Sequence, residues 1–156
     1  MAENNTKMEL RILQQHEDKS DDLFKSADCQ TMLQMYEDYY PKIGFHLPWV
    51  GYLVMRHNQV AGMGSFTGQP NDGKVEIAYW TFKEFEGQGI ASFACQELIK
   101  IAQDTDPAVT ITAKTAPEKN ASTKILENNK FIFAGIVQDE EIGDAWLWTL
   151  KPEEKQ

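Results

Sequence analysis

The succession of apolar periods along the chain predicts an α/β fold: a mixed, mostly antiparallel central sheet of about seven strands with flanking helices. Three observations predict it. Seven short runs have strand length and alternating or β-branched apolar content. Three longer stretches space their apolar residues as helices do. Finally, three strand-like runs follow one another at 51–80 without an intervening helix, which a doubly wound sheet would not have.

MELRIL (8–13) reads as the first strand. SDDLFKSADCQTMLQMYEDYY (20–40) has helical spacing, as one helix or two, and is expected to stop at Pro41. KIGFHLPWV (42–50) is an aromatic-rich connection. GYLVMR (51–56) and QVAGMGSF (59–66) form a hairpin across His57-Asn58. GQPNDG (68–73) is a loop, and KVEIAYW (74–80) is the next strand. IASFACQELIKIA (90–102) sets Ile90, Phe93, Ala94, Leu98, Ile101 and Ala102 on one helical face. AVTITA (108–113) is a strand by its β-branched content. PEKNASTKILENN (117–129) is a short helix, opened by a capping box of Thr115 and Glu118 or started at Asn120. FIFAGIV (131–137) and DAWLWTL (144–150) close the chain as a strand pair. Parallel crossings are expected only around the glycine-led helix and the next one.

A chain of 156 residues, 42% of them hydrophobic, fits one domain spanning 1–156, with 1–7 and 151–156 as solvated ends. No run approaches a membrane-spanning helix. MAENNTKMEL lacks the basic and apolar regions of a secretory signal. Cys29 and Cys95 make no disulfide framework and have no His/Cys cluster beside them. The expectation is therefore a cytoplasmic protein with two buried bystander thiols and no metal site. The formal net charge is −9, from 15 basic and 24 acidic side chains. That argues against a general nucleic-acid binder, which needs a basic face, and no membrane partner is expected.

EGQGIASF (86–93) has two glycines flanking Gln88 just ahead of an amphipathic helix. A helix start offers unpaired N–H groups and the positive end of the dipole, and glycines let a phosphate approach. A Walker loop would need Gly-Lys-Ser/Thr, which is absent. A dinucleotide fingerprint would need a glycine where Ser92 stands. A plain turn is the remaining alternative.

VEIAYWTFKEFEGQGIASFACQELIKIA resembles motif A of the GNAT superfamily of acyl-CoA-dependent N-acyltransferases, most of all the branch of ribosomal-protein N-terminal acetyltransferases. PEKNASTKILENNKF (117–131) is similar to that branch's Pro-Glu-Asn-x-Ala-Ser…Leu-Glu-Lys-x-Gly-Phe segment. The two motifs cover residues 75 to 131, and the flanking strand order agrees. The resemblance implies a GNAT-like fold and acetyl-CoA as co-substrate, held over residues 80–92: Trp80, Thr81, Phe82, Glu86, Gly87, Gln88, Gly89, Ile90, Ala91 and Ser92. Glu86 departs from the family's Arg or Gln. The family Asn aligns with Lys119, next to Asn120, so either implies a further cofactor contact. Lys130 replaces a Gly.

Acyl transfer from a thioester to an amine requires a base, an oxyanion donor and a proton for the leaving thiolate. VEIAYW sets Glu76, Ala78 and Trp80 opposite Val75, Ile77 and Tyr79. Both faces are mostly apolar, so the strand reads as central, and a carboxylate there is costly unless paired or functional. Glu76 is the candidate base; a salt-bridged, partly solvated glutamate is the alternative. Ser122, one turn from Leu126, is the candidate acid, with a capping role as the alternative. The resemblance implies that the oxyanion donor is a main-chain N–H near Trp80 or Thr81, where the family strand splays from its neighbour. Tyr36, Tyr39, Tyr40, Phe45, His46 and Trp49 cluster before the hairpin. The resemblance implies acceptor binding there, by Tyr36, Tyr40 and His46, against core or dimer packing. The expected activity is direct transfer of acetyl to a small-molecule amine or a protein N-terminus, with a non-catalytic acyl-CoA sensor as the rival. Family members are often dimers, so a homodimer is an open expectation.

Overall fold

A computed structural model describes residues 7–152 of the chain. Seven strands form one sheet in the order β1-β2-β3-β4-β5-β7-β6. They are β1 Met8–Ile12, β2 Gly51–Arg56, β3 Gln59–Phe66, β4 Lys74–Thr81, β5 Thr110–Thr115, β6 Ile132–Asp139 and β7 Gly143–Leu150. Three helices flank it: α1 Ala27–Ile43, α2 Ile90–Thr105 and α3 Ala121–Asn128. Of the expected solvated ends, Lys7 and Lys151 are exposed; residues 1–6 and 153–156 lie outside the described residues.

The β2–β3 hairpin turns on His57 and Asn58, both at positive φ (52° and 61°), the two-residue turn whose twist matches the strands. Among the described residues only β4 and β5 pair in parallel. The crossing around α3 is parallel as well, but without a direct pair: β7 inserts between β5 and β6 and bonds antiparallel to both, so β5 and β6 share a direction. Closing the chain with a tight hairpin makes β7 available to fill that position.

Three helix boundaries differ from expectation. The segment from residue 20 begins with a single 3-10 turn, Asp22–Phe24, and α1 starts only after Ser26, whose hydroxyl accepts from the Cys29 N–H at 3.1 Å. At its other end α1 runs through Pro41 to Ile43. A proline this close to the end costs one hydrogen bond in the last turn. The helix is held instead by buried Tyr36 and Tyr40 and closed by Gly44 at φ +83°, whose N–H donates to the Tyr40 carbonyl. α3 starts at Ala121 rather than 117. Asn120 caps Thr123 N–H at 3.1 Å and the Thr123 hydroxyl accepts from Asn120 N–H at 2.9 Å. Asn120 is thus the correct one of the two candidate starts; Thr115, the other, lies in β5, where its hydroxyl accepts from Trp148 Nε1–H at 3.0 Å.

α2 lies close against β3. A Cβ added at Gly62 would come within 2.4 Å of the Trp80 carbonyl, and one at Gly64 within 3.0 Å of Leu98 and 3.1 Å of Ala94. Gly64 pairs with Tyr79, so Val75, Ile77 and Tyr79 share the α2 face of the sheet. Glu76 and Trp80 point to the other face. Tyr36 and Tyr40 of α1 pack there, on Gly51.

Candidate active site

β4 leaves β5 partway along. Its pairing with β5 ends at Ile77–Ala113, while its pairing with β3 continues to Thr81. The Thr67 N–H donates to the Glu76 carbonyl and the Phe82 N–H to the Ala61 carbonyl, so even-numbered residues of β4 turn their polar groups toward β3. Alternation leaves the amides of Tyr79 and Thr81 facing the gap. Of the two amides expected as oxyanion donors, that of Thr81 therefore faces the opening and that of Trp80 faces β3.

The glycine loop crosses the end of this gap. Gly87 and Gly89 hold φ of 77° and 81°, a region that costs other residues about 1–2 kcal/mol. A Cβ on either would meet nothing within 4 Å. Gly89 is the left-handed N-cap of α2, which has no side-chain cap and no acidic residue in its first turn. The first intrahelical bond at this end runs from Phe93 N–H to the Gly89 carbonyl, so the amides of Ile90, Ala91 and Ser92 have no partner within the helix. Glu86, Gly87, Gln88 and Gly89 are exposed, and Ala91 and Ser92 half-buried. Two of the residues expected as contacts turn their side chains into the core. Phe82 is buried and set edge-to-face against Trp80, and Ile90 is buried beside Gly62; both rings and branches serve the core. Apolar side chains flanking a loop at the sheet end are drawn inward, so only their main chain is left for a ligand.

Glu76 sits on the α1 face with its side chain 30% exposed, not enclosed by apolar neighbours as the alternation suggested. Lys114 Nζ lies 3.5 Å from Glu76 Oε1 and 3.6 Å from Asp139 Oδ2, linking β4, β5 and the end of β6. Hydrogen bonds from Glu141 and Ile142 N–H, then Lys114, hold the Asp139 carboxyl below its ordinary range. Tyr39, half-buried on α1, faces the same group: burial first, then the Glu76 charge, push its phenol up. Neither Lys114 nor Asp139 was legible as a partner, since nothing local links positions 76, 114 and 139.

Ser122 lies on the opposite face. The Tyr79 hydroxyl is 3.2 Å from both Ser122 Oγ and the Ser122 carbonyl. Burial pushes the Tyr79 phenol up to about 12, partly offset by this hydrogen bond, so it keeps its proton at neutral pH. The pattern had already put Tyr79 on the face of β4 opposite Glu76, but its contact with α3 is tertiary. Glu76 and Ser122 thus lie on opposite faces of the sheet.

Four other residues expected as ligand contacts have partners within the fold. Tyr40 is buried, and its hydroxyl donates to the Leu13 carbonyl at 2.7 Å and accepts from Gly51 N–H at 3.0 Å. Tyr36 is buried against Gly51, and burial raises its phenol. Both read as core residues: an aromatic helix face is the natural cover for a strand glycine. Lys119 is 3.4 Å from Glu127 and over the Trp148 ring at 5.8 Å, while the Asn120 side-chain oxygen is occupied as a cap. His46 is exposed in the turn after α1. Cys29 and Cys95 are both free and buried, and burial pushes the Cys95 thiol up to about 12, the opposite of a nucleophile. Among the described residues no group of His, Cys, Asp or Glu is arranged to hold a metal, and no helix is long and apolar enough to cross a membrane.

A split sheet with a glycine-led helix at its opening defines the class of the N-acyltransferases. The chain belongs to the GNAT acetyltransferase family: the family profile described as Acetyltransferase (GNAT) domain matches residues 13–132. It is 27% identical over 97 residues to the ribosomal-protein-serine acetyltransferase of Escherichia coli (strain K12), an alignment covering 61% of this chain and 54% of that protein. The chain thus spans about half the length of this curated relative. Among solved structures it is similar to RimL, a ribosomal L7/L12 alpha-N-protein acetyltransferase in complex with coenzyme A. The TM-score is 0.69 at 20% identity, covering 93% of this chain and 94% of that one. It is also similar to yncA of Salmonella typhimurium, solved with its cofactor acetyl-CoA, with TM-score 0.63 at 18% identity and 96% of both chains covered. Lys130, in the place of the family Gly, holds φ +70°, which accounts for a glycine there elsewhere.

Proposed function

We propose that this chain moves an acetyl group from acetyl-CoA to a primary amine by direct transfer in a ternary complex, as one cytoplasmic domain. The observation that carries the reading is the β4–β5 gap, with the free amides of Tyr79 and Thr81 facing it and the uncapped α2 at its end. Acetyl-CoA supplies the activated thioester. The α2 amides hold its phosphates, and the β4 amides receive the developing oxyanion. Glu76, directly or through a water, takes the ammonium proton on the α1 face, and Ser122, backed by the Tyr79 hydroxyl, gives one to the thiolate on the other. The carboxylates of Glu76 and Glu141, whose charges both act on Tyr39, favour a cationic acceptor. Protein N-termini are the preferred acceptor class, supported by the names of the relatives.

Thiol release from acetyl-CoA across a panel of N-terminal peptides, polyamines and small amines tests this. Turnover with peptides above the other amines is expected. Acetyl-CoA binding with no turnover on any amine would make the chain a sensor instead.

A homodimer through β6 belongs to the same reading. This edge strand exposes Ile132, Phe133 and Ile136. Antiparallel pairing with a second copy would set Lys130 against the acidic Asp139–Glu140 end and satisfy the open edge. Ile136→Lys should shift a dimer to monomer in sedimentation; a parent chain that is monomeric at all concentrations would remove the interface.

A further inference from the structure

We propose that Arg56 is a phosphate-binding residue for the acyl donor, supplying at the glycine loop the positive charge that Glu86 does not. The inference rests on the reading of the chain as acetyl-CoA-dependent, and names a residue outside both sequence motifs.

Arg56 is the last residue of β2. β2 and β4 are both antiparallel to β3, so they run in the same direction and end on the same side of the sheet. There the Arg56 Nη1 donates to Oε1 of Gln88, the residue between the two glycines. The contact bridges the strand end to the loop across 32 positions of sequence.

Three observations say the guanidinium is not fully used by this bond. Its Nε is buried with no hydrogen-bond partner. None of the ion pairs among the described residues involves Arg56, although Glu84 and Glu86 flank the same loop. Beside it, the first turn of α2 has no side-chain cap, and the space over Gly87 and Gly89 is open. A buried, charged donor left without an acceptor is costly, and a phosphate oxygen is the acceptor for which both a guanidinium fork and helix amides are suited. The alternative use of Arg56 is to hold Gln88 and hence the loop shape. That role needs only the one bond and leaves the cation idle.

Titration calorimetry on the full chain separates the two. Parent, Arg56→Lys and Arg56→Met are titrated with acetyl-CoA at two or more salt concentrations, and thermal melts without ligand check the fold. Arg56→Met is expected to weaken binding roughly 10- to 100-fold, the range for a lost charge-assisted hydrogen bond. Its affinity should also depend less on salt than the parent's, because one charge contact to phosphate is gone. Arg56→Lys, which keeps the charge but not the fork, should fall between. Repeating the series with dephospho-CoA identifies the phosphate. A loss that persists points to the pyrophosphate, and one that vanishes points to the 3′-phosphate. Unchanged affinity in Arg56→Met, or weaker binding with the parent's salt dependence, would overturn the assignment and make Arg56 a loop-shaping residue. A parent chain that does not bind acetyl-CoA would fail the functional reading itself.

Discussion

At the scale of single residues, two proton-handling groups can be tested without loss of fold. Glu76 is partly exposed, so its pairing with Lys114 contributes no more than about 1 kcal/mol. Glu76→Gln should therefore fold as the parent does and bind acetyl-CoA with parent affinity. If Glu76 is the base, turnover falls by roughly 10²–10⁴-fold, and raising the pH recovers part of it because more acceptor arrives as free amine. Parent-like kcat with an unchanged pH profile would leave Glu76 as a surface ion pair. Ser122 and Tyr79 form a coupled pair at 3.2 Å. Ser122→Ala and Tyr79→Phe should each lower kcat more than they change the acetyl-CoA KM, with the double variant far from additive. Additive losses, or an effect confined to KM, would mean that the pair packs α3 against β4 and that the thiolate takes its proton from water.

At the scale of elements, the glycine loop carries the sharpest expectation. Nothing stands within 4 Å of a Cβ at Gly89, so the cost of Gly89→Ala is backbone strain at φ +81°, about 1–2 kcal/mol. The melting temperature should fall by several degrees, and acetyl-CoA affinity should fall further, because the methyl occupies space a phosphate would use. A lower melting temperature with intact affinity would take the loop out of the site. The helix termini show where sequence signals compete. Ser26 and Asn120 are both local caps, yet Thr115-Glu118 looks equally good by spacing alone. The choice fell to Asn120 because β5 pairs Thr115 with Trp146 of β7 and so keeps it in the strand. The expectation at Pro41 failed for the same kind of reason: the buried Tyr36–Tyr40 face outweighs one missing hydrogen bond.

At the scale of the whole molecule, buried acids set an alkaline limit. Cys95 has an ordinary value of 9.0 and is raised to about 12 in the fold; Tyr40 and Tyr79 go from 10.0 to about 12. In each case burial favours the protonated form. The unfolded chain releases these protons at pH 9–10, and the folded chain holds them to about 12. Their contribution to stability is complete below pH 9 and is lost as pH rises through that window. The melting temperature should decline steadily from pH 9 to 12, and less steeply in Cys95→Ala. A flat profile over that range would mean that the three groups are reached by water in the native state.

The sequence by itself determined the element order, the His57-Asn58 hairpin, the glycine-led helix and the two motifs that mark the family. These depend on local backbone preference and on spacing along the chain, which periodicity reports directly. Even the opposed faces of β4, Glu76 against Tyr79, follow from alternation. Tertiary structure alone decided which of those faces met which helix. It inserted β7 beside β5, joined Glu76 to Lys114 and Asp139, brought Ser122 to Tyr79 and Arg56 to Gln88, and locked Tyr40 between Leu13 and Gly51. Each of these contacts joins residues well separated in the chain, and its energy depends on burial and distance after the sheet has formed. No periodicity encodes it, because a strand's alternation fixes which residues share a face but not what will cover it.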